Sequence, residues 1–473
     1  MRRPLVAMQS LDNAQDVAVC RNCLGFVGDL ILQLELLSGI PRHECLQRHE
    51  IRHQGDRPAT NDEEAASLSG LHVCLQGCGE VYCSFECRAE HFKRCHRLLC
   101  VGPVPEEEAE THPLVAFRVH AMQTNEIFLL VGEVIAQIVA AASDTAAAVD
   151  TDVVSARAPF ADFVQEPWWD VAATRAGSSI DGSVDSRASV ASLPETLRGL
   201  CEESSALLRS AFATLPQAVL REELTAERFG RVVGMFEQNN VGVRVSSPVA
   251  ALLGGLVAGP ELSGASVDEL VGLVSRIEEF QESESDCDSG DEGGEEESGK
   301  VPAVEQEERM ECRGFVAGGE AKKGSVDDGA PSACAGKGCC AEDVGSASLG
   351  DDRIATLQKA AATERPDEMF APLDGTALYS LVCCMNHSCR PNCVVRYPRG
   401  ICPPSSNNSA DTIDRALPLV AQVVLIEEAA AGDELTQSYV DKDMGLLERR
   451  KALEDYGFLC RCPRCLEEEA TAT

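Results

Sequence analysis

The sequence lacks the apolar segments that direct a chain to or through a membrane. No continuous apolar run long enough for a signal peptide follows the start, which reads MRRPLVAMQSLDNAQDV. The most apolar stretch, IFLLVGEVIAQIVAAA from Ile127, is shorter than the roughly 18 residues of a membrane span and contains Glu133 and Gln137. We therefore expect no export signal, no membrane span and a buried helix beginning near Ile127.

Positive charge is also scarce. The chain has 41 Lys and Arg against 77 Asp and Glu, a formal net charge of −36. Binding to duplex DNA depends on neutralising phosphates, so no direct sequence-specific DNA binding is expected. A basic cluster of about five to eight residues, typical of nuclear localisation, is absent as well. The acidic balance is compatible with basic protein partners, or with solubility alone.

Large apolar residues are few between residues 281 and 352. This segment includes ESESDCDSGDEGGEEESGK and is acidic and rich in Gly and Ser. Too little apolar surface is present to offset the entropy lost on ordering, which predicts a disordered insertion. Its cysteines lack a paired spacing that would indicate a metal site: Cys312, Cys334, Cys339 and Cys340.

Periodicity divides the rest of the chain. From about 112 to 225, runs such as ETLRGLCEESSALLRSAFATL repeat apolar residues at helical spacing. After the insertion, CVVRY and PLVAQVVLIEEAAAGDELTQSYVD alternate or cluster β-branched residues, as short strands joined by turns do. These patterns predict an α+β protein with a helical middle and a mainly β C-terminal half.

Cysteine, in contrast, is abundant, with 23 residues. In a chain without an export signal, their spacing indicates metal binding before disulfides. Pairs two or three residues apart let two sulfurs reach one zinc ion at about 2.3 Å. The region from 20 to 100 offers enough ligands for two ions: Cys20, Cys23, Cys74, Cys78, Cys83, Cys87, His96 and Cys100.

Two further residues compete as ligands in this region. His91 follows Cys87 at short range, and Cys95 directly precedes His96. The spacing from His96 to Cys100 fits a helical turn, so Cys95 is expected to be a free thiol.

The region resembles the MYND zinc finger. That resemblance implies an interleaved pairing, in which one ion takes Cys20, Cys23, Cys83 and Cys87 and the other takes Cys74, Cys78, His96 and Cys100. The gap of about fifty residues after Cys23 departs from the compact finger. The zinc ions would stabilise a small fold, and binding of peptide partners would be an added function.

Three C-terminal motifs occur in the order found in SET-domain lysine methyltransferases: NHSCRPN (386–392), GDELTQSY (432–439) and YGFLCRCPRC (456–465). With the finger upstream, the chain resembles the SET-and-MYND class, and NEIFLL, PWWD and GMFEQNN resemble its plant trithorax-related members. The resemblance implies a β-rich SET fold with an inserted MYND-like zinc finger, a helical insert and a zinc-binding post-SET tail.

The implied activity is transfer of a methyl group from S-adenosylmethionine to a lysine side chain, with a histone tail, that of H3, as the implied substrate. Such a transfer needs the amine neutral and aligned behind a sulfonium methyl, so the protein must supply orientation and desolvation. Desolvation and the sulfonium charge both lower the pKa of the lysine. A nuclear location is expected from the implied substrate only, and a cytoplasmic location is the alternative.

The resemblance also assigns residues to the site. Asn386 and His387 would contact S-adenosylmethionine, Phe458 would stack near its adenine, and the Tyr439 hydroxyl would lie beside the transferred methyl group. Aromatic walls suit a long aliphatic stem that ends in a cation. Tyr456 would form one wall of the lysine channel and Phe236 a second. Alone, Tyr439 and Phe458 would be interpreted as core aromatics.

A third zinc ion is implied near the C-terminus. Cys460, Cys462 and Cys465 offer three thiolates, one fewer than a closed structural site needs. The family pattern takes the fourth from Cys389. The neighbouring Cys383 and Cys384 are expected to be packed thiols, and Cys393 and Cys402 have no assigned role.

The cofactor-binding Gly-rich turn with which SET enzymes usually begin is missing, because RRPLVAMQ resembles the strand that normally follows it. Either the protein begins upstream or cofactor binding is impaired. The alternative function is therefore a non-catalytic MYND and SET adaptor that binds peptide partners.

The motifs predict the following division of the chain: 1–19, remnant of the N-terminal SET strands; 20–100, MYND-like finger with an insertion at 24–73; 101–227, helical insert; 228–441, SET core interrupted at 281–352; and 442–466, post-SET zinc segment.

Overall fold

The computed structural model describes residues 3–53, 71–145, 153–178, 184–258, 264–287, 348–398, 418–454 and 456–472. Most of the predicted disordered insertion, with Cys312, Cys334, Cys339 and Cys340, lies outside these residues, as does Cys402. The domain division therefore stays a prediction.

The first hundred residues form short elements around two cysteine-rich loops. Two helices begin at capped positions, where Asp29 accepts from the Leu32 N–H (2.7 Å) and Ser84 from the Cys87 N–H (3.1 Å). The elements are β1 (Val6–Gln9), α1 (Asn13–Asp16), α2 (Leu30–Leu37), α3 (Arg42–Arg52), β2 (His72–Val73), β3 (Val81–Tyr82), α4 (Phe85–His91), a π-helical turn (Phe92–His96), α5 (Arg97–Leu99) and α6 (Glu106–Ala109).

The middle of the chain is helical, as its periodicity predicts. Its helices pack closely where glycine removes a side chain: a Cβ on Gly230 would lie 2.3 Å from the Trp169 ring, and one on Gly234 would overlap the Glu166 carbonyl. The helices are α7 (Pro113–Thr124), α8 (Ile127–Thr145), α9 (Val153–Arg157), α10 (Trp168–Ser178), α11 (Val184–Ala211), α12 (Gln217–Glu223) and α13 (Ala226–Asn239).

Helix α8 contains the most apolar stretch of the sequence. Among the described residues it is the one helix whose length and composition would allow it to cross a membrane. It runs to Thr145, longer than its apolar run, but Phe128, Val131, Ile135 and Ile138 are fully buried in the protein core. The prediction of a buried helix is confirmed.

The C-terminal half is less β-rich than the sequence predicts, because three long helices lie between the strands Val241–Val245 and Leu373–Leu378. These helices share one buried core with α2. Residues 281–287 and 348–352, placed in the disordered insertion, belong to two of these helices. The elements are β4 (Val241–Val245), α14 (Val249–Ala258), α15 (Gly264–Cys287), α16 (Ser348–Ala361), α17 (Pro366–Met369), β5 (Leu373–Leu378), β6 (Cys393–Arg396), β7 (Gln422–Leu425), α18 (Leu446–Glu454) and α19 (Pro463–Ala472).

A three-stranded antiparallel sheet in the order β1-β5-β4 pairs the N-terminal strand with strands from the second half of the chain. Gly375 is needed at its centre, because a Cβ there would lie 2.2 Å from the Met8 carbonyl oxygen. Strands β6 and β7 form a separate antiparallel pair within the two segments that the sequence predicts as strands. The fold is therefore mixed helix and sheet, and β5 leads directly into the NHSC segment.

Candidate functional site

The first cysteine cluster joins a tight loop before α2 to the start of α4. The Cys20 N–H donates to the Gly25 carbonyl (2.8 Å) and closes the loop. The sulfurs of Cys20, Cys23, Cys83 and Cys87 all lie within 4.8 Å of one another, with Cys23 to Cys83 at 3.6 Å and Cys83 to Cys87 at 3.4 Å. Sulfurs bound at about 2.3 Å to one tetrahedral zinc lie about 3.8 Å apart, so the cluster fits that ion.

The second cluster contains Cys74, Cys78, His96 and Cys100, again within 4.8 Å of one another. His96 Nε2 lies 3.3 Å from Cys74 Sγ and 3.4 Å from Cys78 Sγ, and the Cys74 and Cys100 sulfurs are 3.8 Å apart. The π-helical turn before His96 aims its ring at the three sulfurs. The donors are those of a Cys₃His zinc site, which the cluster fits in size.

The two competing ligands lie outside both clusters. Cys95 is fully buried beside His91 and Glu133, and the His91 Nδ1 lies 3.0 Å from the Tyr82 hydroxyl. Glu133 accepts instead from Arg21 (2.6 Å) and Arg94 (3.4 Å). Because the two arginines balance this buried carboxylate, we interpret Glu133 and its partners as a contact that holds α8 against the finger. We do not interpret them as ligands of a third metal ion in the finger.

The third cluster brings Cys389 to the C-terminal tail. The sulfurs of Cys389, Cys460, Cys462 and Cys465 lie within 4.8 Å of one another, with Cys389 to Cys460 at 3.9 Å and Cys465 to Cys389 at 3.5 Å. The separations again match a tetrahedral zinc site. This set supplies the fourth sulfur that the tail by itself lacks.

Of the other cysteines near the NHSC segment, Cys393 is buried in β6 and Cys383 is partly buried, while Cys384 is exposed. None of the three lies in a four-residue cluster of the described residues. The prediction that Cys384 is a packed thiol is wrong, because its side chain is exposed at the end of the turn that follows β5.

The NHSC segment lies parallel to the segment that carries Tyr439. The Gln437 N–H donates to the Asn386 carbonyl (3.0 Å), and the Ser388 N–H donates to the Gln437 carbonyl (2.9 Å). The Asn386 side-chain amide donates to Glu434 (2.6 Å). These bonds fix the two motifs side by side although about fifty residues separate them.

His387 connects this pair of segments to the third cluster. Its Nδ1 accepts from the Tyr439 N–H (2.9 Å), and its Nε2 lies 3.2 Å from Cys389 Sγ. Burial, with the Arg449 charge, lowers the pKa of His387 to about 4, so the ring is neutral near pH 7. With Nδ1 accepting, the neutral ring carries its proton on Nε2 and donates it toward the cluster.

Tyr439 lies at the centre of an aromatic group. Its ring centroid is 5.0 Å from that of Tyr456, 5.3 Å from His387 and 6.4 Å from Phe458. Its hydroxyl donates to the Met385 carbonyl (2.6 Å). Burial raises the pKa of the Tyr439 hydroxyl, which therefore keeps its proton.

A cleft of about 300 Å³ opens beside Tyr439 and Tyr456. The structure does not bring Phe236 to this cleft, because that side chain points into the core from α13 and is fully buried. The residues that follow it line the cleft instead. The lining is Gln238, Asn239, Asn240, Val241, Gly242, Cys383, Val395, Tyr397, Gln437, Ser438, Tyr439 and Tyr456.

Sequence reasoning missed the asparagines and Tyr397. The asparagines belong to GMFEQNN, in which only the aromatic residue was assigned a role, and they lie where α13 ends and β4 begins. Tyr397 follows β6, and its hydroxyl donates to the Gly242 carbonyl (3.2 Å). The sequence signal for the two asparagines is that such a pair commonly ends a helix.

No family model matches the chain. It is 24% identical to histone-lysine N-methyltransferase ATXR2 of Arabidopsis thaliana over 411 residues, 84% of this chain and 63% of that protein. It is 31% identical to protein-lysine N-trimethyltransferase SMYD5 of Gallus gallus over 109 residues, 22% of each chain. It is 35% identical to histone-lysine N-methyltransferase SMYD3 of Mus musculus over 99 residues, 21% of this chain and 19% of the other.

The chain thus spans less than two thirds of the length of these curated relatives. A SET and MYND domain-containing protein of Dictyostelium discoideum is a further match, 31% identical over 106 residues, 22% of this chain and 26% of that protein. Together with the cysteine clusters, these matches confirm the resemblance of the chain to the SET-and-MYND class and to its plant trithorax-related members.

Proposed function

We propose that the chain is a protein-lysine N-methyltransferase that uses S-adenosylmethionine. One observation carries the proposal: Tyr439 joins the NHSC segment, the tail aromatics and the cleft in one site. The relatives named as lysine methyltransferases support it. A histone tail, that of H3, is the proposed substrate class, and nuclear action is proposed on the same ground.

The residues around Tyr439 fit the cofactor. The ring centroids of Phe458 and His387 are 5.9 Å apart with tilted planes, and the partly exposed Phe458 ring offers a surface on which a purine can stack. Asn386 offers polar groups beside them. These residues would hold S-adenosylmethionine, with Asn386 toward its amino acid end and His387 and Phe458 toward the adenine. When bound, the cofactor supplies a methyl group on a sulfonium.

The chain's own residues then orient and desolvate the lysine. Tyr456 and Tyr439 present tilted rings 5.0 Å apart at the cleft, a suitable wall for an aliphatic stem. The Tyr439 hydroxyl is fixed by its bond to the Met385 carbonyl and stays protonated, so it polarises the site without taking the lysine proton. A low-dielectric wall lowers the lysine pKa and increases the fraction of reactive free amine.

The three four-residue clusters are proposed to hold one zinc ion each. Two would stabilise the finger, which is also proposed to bind peptide partners. The third would fix the tail that carries Tyr456 and Phe458 to Cys389, close to His387. Metal binding at this cluster is therefore coupled to the shape of the cofactor site.

Calorimetric titration with S-adenosylmethionine, followed by methylation of an H3 peptide array, tests the proposal. We expect one cofactor site per chain and transfer to lysine-containing peptides only. Cofactor binding without transfer would contradict the histone substrate, and assay of other lysine peptides would then follow. Absence of cofactor binding by zinc-loaded protein would contradict the enzyme and favour the peptide-binding adaptor.

A further inference from the structure

A further group of potential ligands lies in the α2–α3 hairpin, apart from the three cysteine clusters. Asp29, His49 and His53 each direct one side-chain donor to a common point, with all three donor atoms within 4.8 Å of one another. His49 and His53 are four residues apart on and just after α3, so their rings lie on one face, with centroids 4.6 Å apart.

Asp29 divides its two oxygens between different tasks. Oδ1 accepts from the Leu32 N–H (2.7 Å) as the N-cap of α2 and lies 3.5 Å from the Arg52 guanidinium. Oδ2 faces the histidines, 3.0 Å from His53 Nε2 and 3.8 Å from His49 Nε2. The cap orients the carboxylate and leaves one oxygen directed at both imidazoles.

His49 supplies an independent sign of a ligand. Its side chain is 1% exposed, and its Nε2 is buried without a hydrogen-bond partner. Buried polar atoms are nearly always paired, so this nitrogen needs a partner that the protein atoms do not provide. It is aimed at the point that Asp29 Oδ2 also faces.

The positive charges nearest this point are paired with the Glu35 carboxylate. Arg52 is nearest, but Glu35 holds it through contacts of 3.1 Å and 3.2 Å, and Arg48 lies 3.7 Å from the same carboxylate. The Asp29 carboxylate remains as the local anion.

We infer that Asp29, His49 and His53 form a fourth metal site, which binds a divalent transition-metal ion, Zn²⁺ foremost, through two imidazole nitrogens and one carboxylate oxygen. Ligand atoms at about 2.0–2.1 Å from a tetrahedral zinc lie about 3.4 Å apart, between the two distances measured from Asp29 Oδ2. His53 is 28% exposed, so solvent reaches the fourth position. The ion ties the end of α3 to the start of α2.

This site differs from the cysteine clusters in donor type, and the difference makes it separable. Imidazole and carboxylate donors without thiolate hold zinc less tightly than four-residue thiolate sites and give bound Co²⁺ no sulfur charge-transfer absorption. Dialysis in metal-free buffer therefore empties it first.

To test the site, the full zinc-loaded chain is first dialysed against metal-free buffer. It is then titrated with Zn²⁺ by calorimetry and, in a parallel sample, with Co²⁺ by absorption spectroscopy. We expect wild-type protein to take up one ion, with Co²⁺ bands of nitrogen and oxygen ligation. Asp29→Asn keeps a capping oxygen but removes the anionic ligand, and His53→Gln changes the most exposed member. Both variants should lose this ion, with at least about tenfold weaker binding.

His43→Gln is the matched control, because His43 is an exposed histidine on α3 outside the group. His43→Gln should bind the ion with the affinity of wild type. Added Zn²⁺ should raise the Tm of wild type and of His43→Gln but not that of His53→Gln. Equal uptake by wild type and His53→Gln would overturn the site. So would absence of uptake by wild type, which would leave an aspartate–histidine hydrogen bond only.

Discussion

At the scale of single residues, the Tyr439 hydroxyl is the most direct test of the proposed chemistry. Tyr439→Phe removes the group that donates to the Met385 carbonyl and keeps the ring against Tyr456 and His387. We expect methyl transfer to fall at least about 100-fold, because a fixed dipole at the reacting centre is lost. Turnover with a lysine peptide measures this, and cofactor affinity should change little. Undiminished methyl transfer by Tyr439→Phe would contradict the proposed role of the Tyr439 hydroxyl in the active site.

Tyr379 provides a contrasting residue. Its side chain is fully buried, and its hydroxyl has no hydrogen-bond partner. Tyr379→Phe should therefore raise the free energy of unfolding by about 1 kcal/mol, because the cost of burying an unpaired hydroxyl disappears. Urea denaturation measures the change. Methyl transfer should be unaffected, since Tyr379 does not line the cleft.

Tyr397→Phe is the matched control for stability. The Tyr397 hydroxyl donates to the Gly242 carbonyl, so its loss should lower the free energy of unfolding by about 1 kcal/mol. Opposite signs for the two tyrosines are expected. The same sign for both would contradict the assignment of the unpaired hydroxyl.

At the scale of elements, Glu133 attaches helix α8 to the finger. Its carboxylate is fully buried and binds Arg21 and Arg94. Glu133→Gln removes the nearer carboxylate of Arg21 and leaves only the longer contact with Glu80 (3.8 Å), so the free energy of unfolding should fall by about 3 kcal/mol. Asp144→Asn on the same helix breaks an exposed pair with Arg97 and should cost less than about 1 kcal/mol. Equal losses in the two variants would show that the buried pair has no special role.

Acidification provides a second test of the same element. Burial alone would raise the pKa of Glu133, but Arg21, with His91 and Arg94, lowers it well below its ordinary range. A carboxylate with a lowered folded-state pKa stabilises the fold above its unfolded pKa, about 4.3, and this contribution is lost as pH falls below it. Between about pH 4.5 and pH 3, wild type should therefore lose more stability than Glu133→Gln in urea titrations. Parallel pH profiles would contradict the linkage.

At the scale of the whole molecule, the sequence predicted composition-driven features better than those that depend on tertiary packing. Helical periodicity gave the helices of the middle, and β-branched runs gave β6 and β7. Short cysteine spacings gave the pairs, but which pairs share a cluster came from family resemblance, since spacing does not fix contacts between distant segments. The choice of His96 over His91 depends on a π-helical turn that helical spacing cannot predict.

The remaining differences have the same cause. Family resemblance assigned Phe236 to the lysine channel, but its side chain lies on the face of α13 that is turned to the core. The helices α14 to α16 occupy part of the region predicted as β-rich, because their packing on α2 adds buried surface that local propensity does not report. The Asp29, His49 and His53 group was invisible because its aspartate belongs to a different helix.

The tail connects the third cluster to the aromatic group around Tyr439. Tyr456 and Phe458 are 48% and 37% exposed, so packing alone holds them weakly beside Tyr439. They directly precede Cys460, and the third cluster joins this segment to Cys389 more than 70 residues earlier. Loss of the zinc ion proposed at this cluster should therefore release the aromatics, although the salt bridge from Arg449 to Glu468 (2.6 Å) retains part of the tail.

Cys462→Ser tests this coupling, with Cys384→Ser as its control because Cys384 is an exposed thiol next to the NHSC segment and outside the clusters. We expect Cys462→Ser to lose one zinc ion by mass spectrometry, to lose methyl transfer at least about 100-fold and to become open to proteolysis within the tail. Far-UV circular dichroism should change little, because in the described part of the chain the buried group around this cluster includes no residue of the sheet β1-β5-β4 or of the helical middle. Retained transfer after loss of the ion would show that the tail aromatics are positioned without zinc, and the proposed link between the third cluster and the active site would then be wrong.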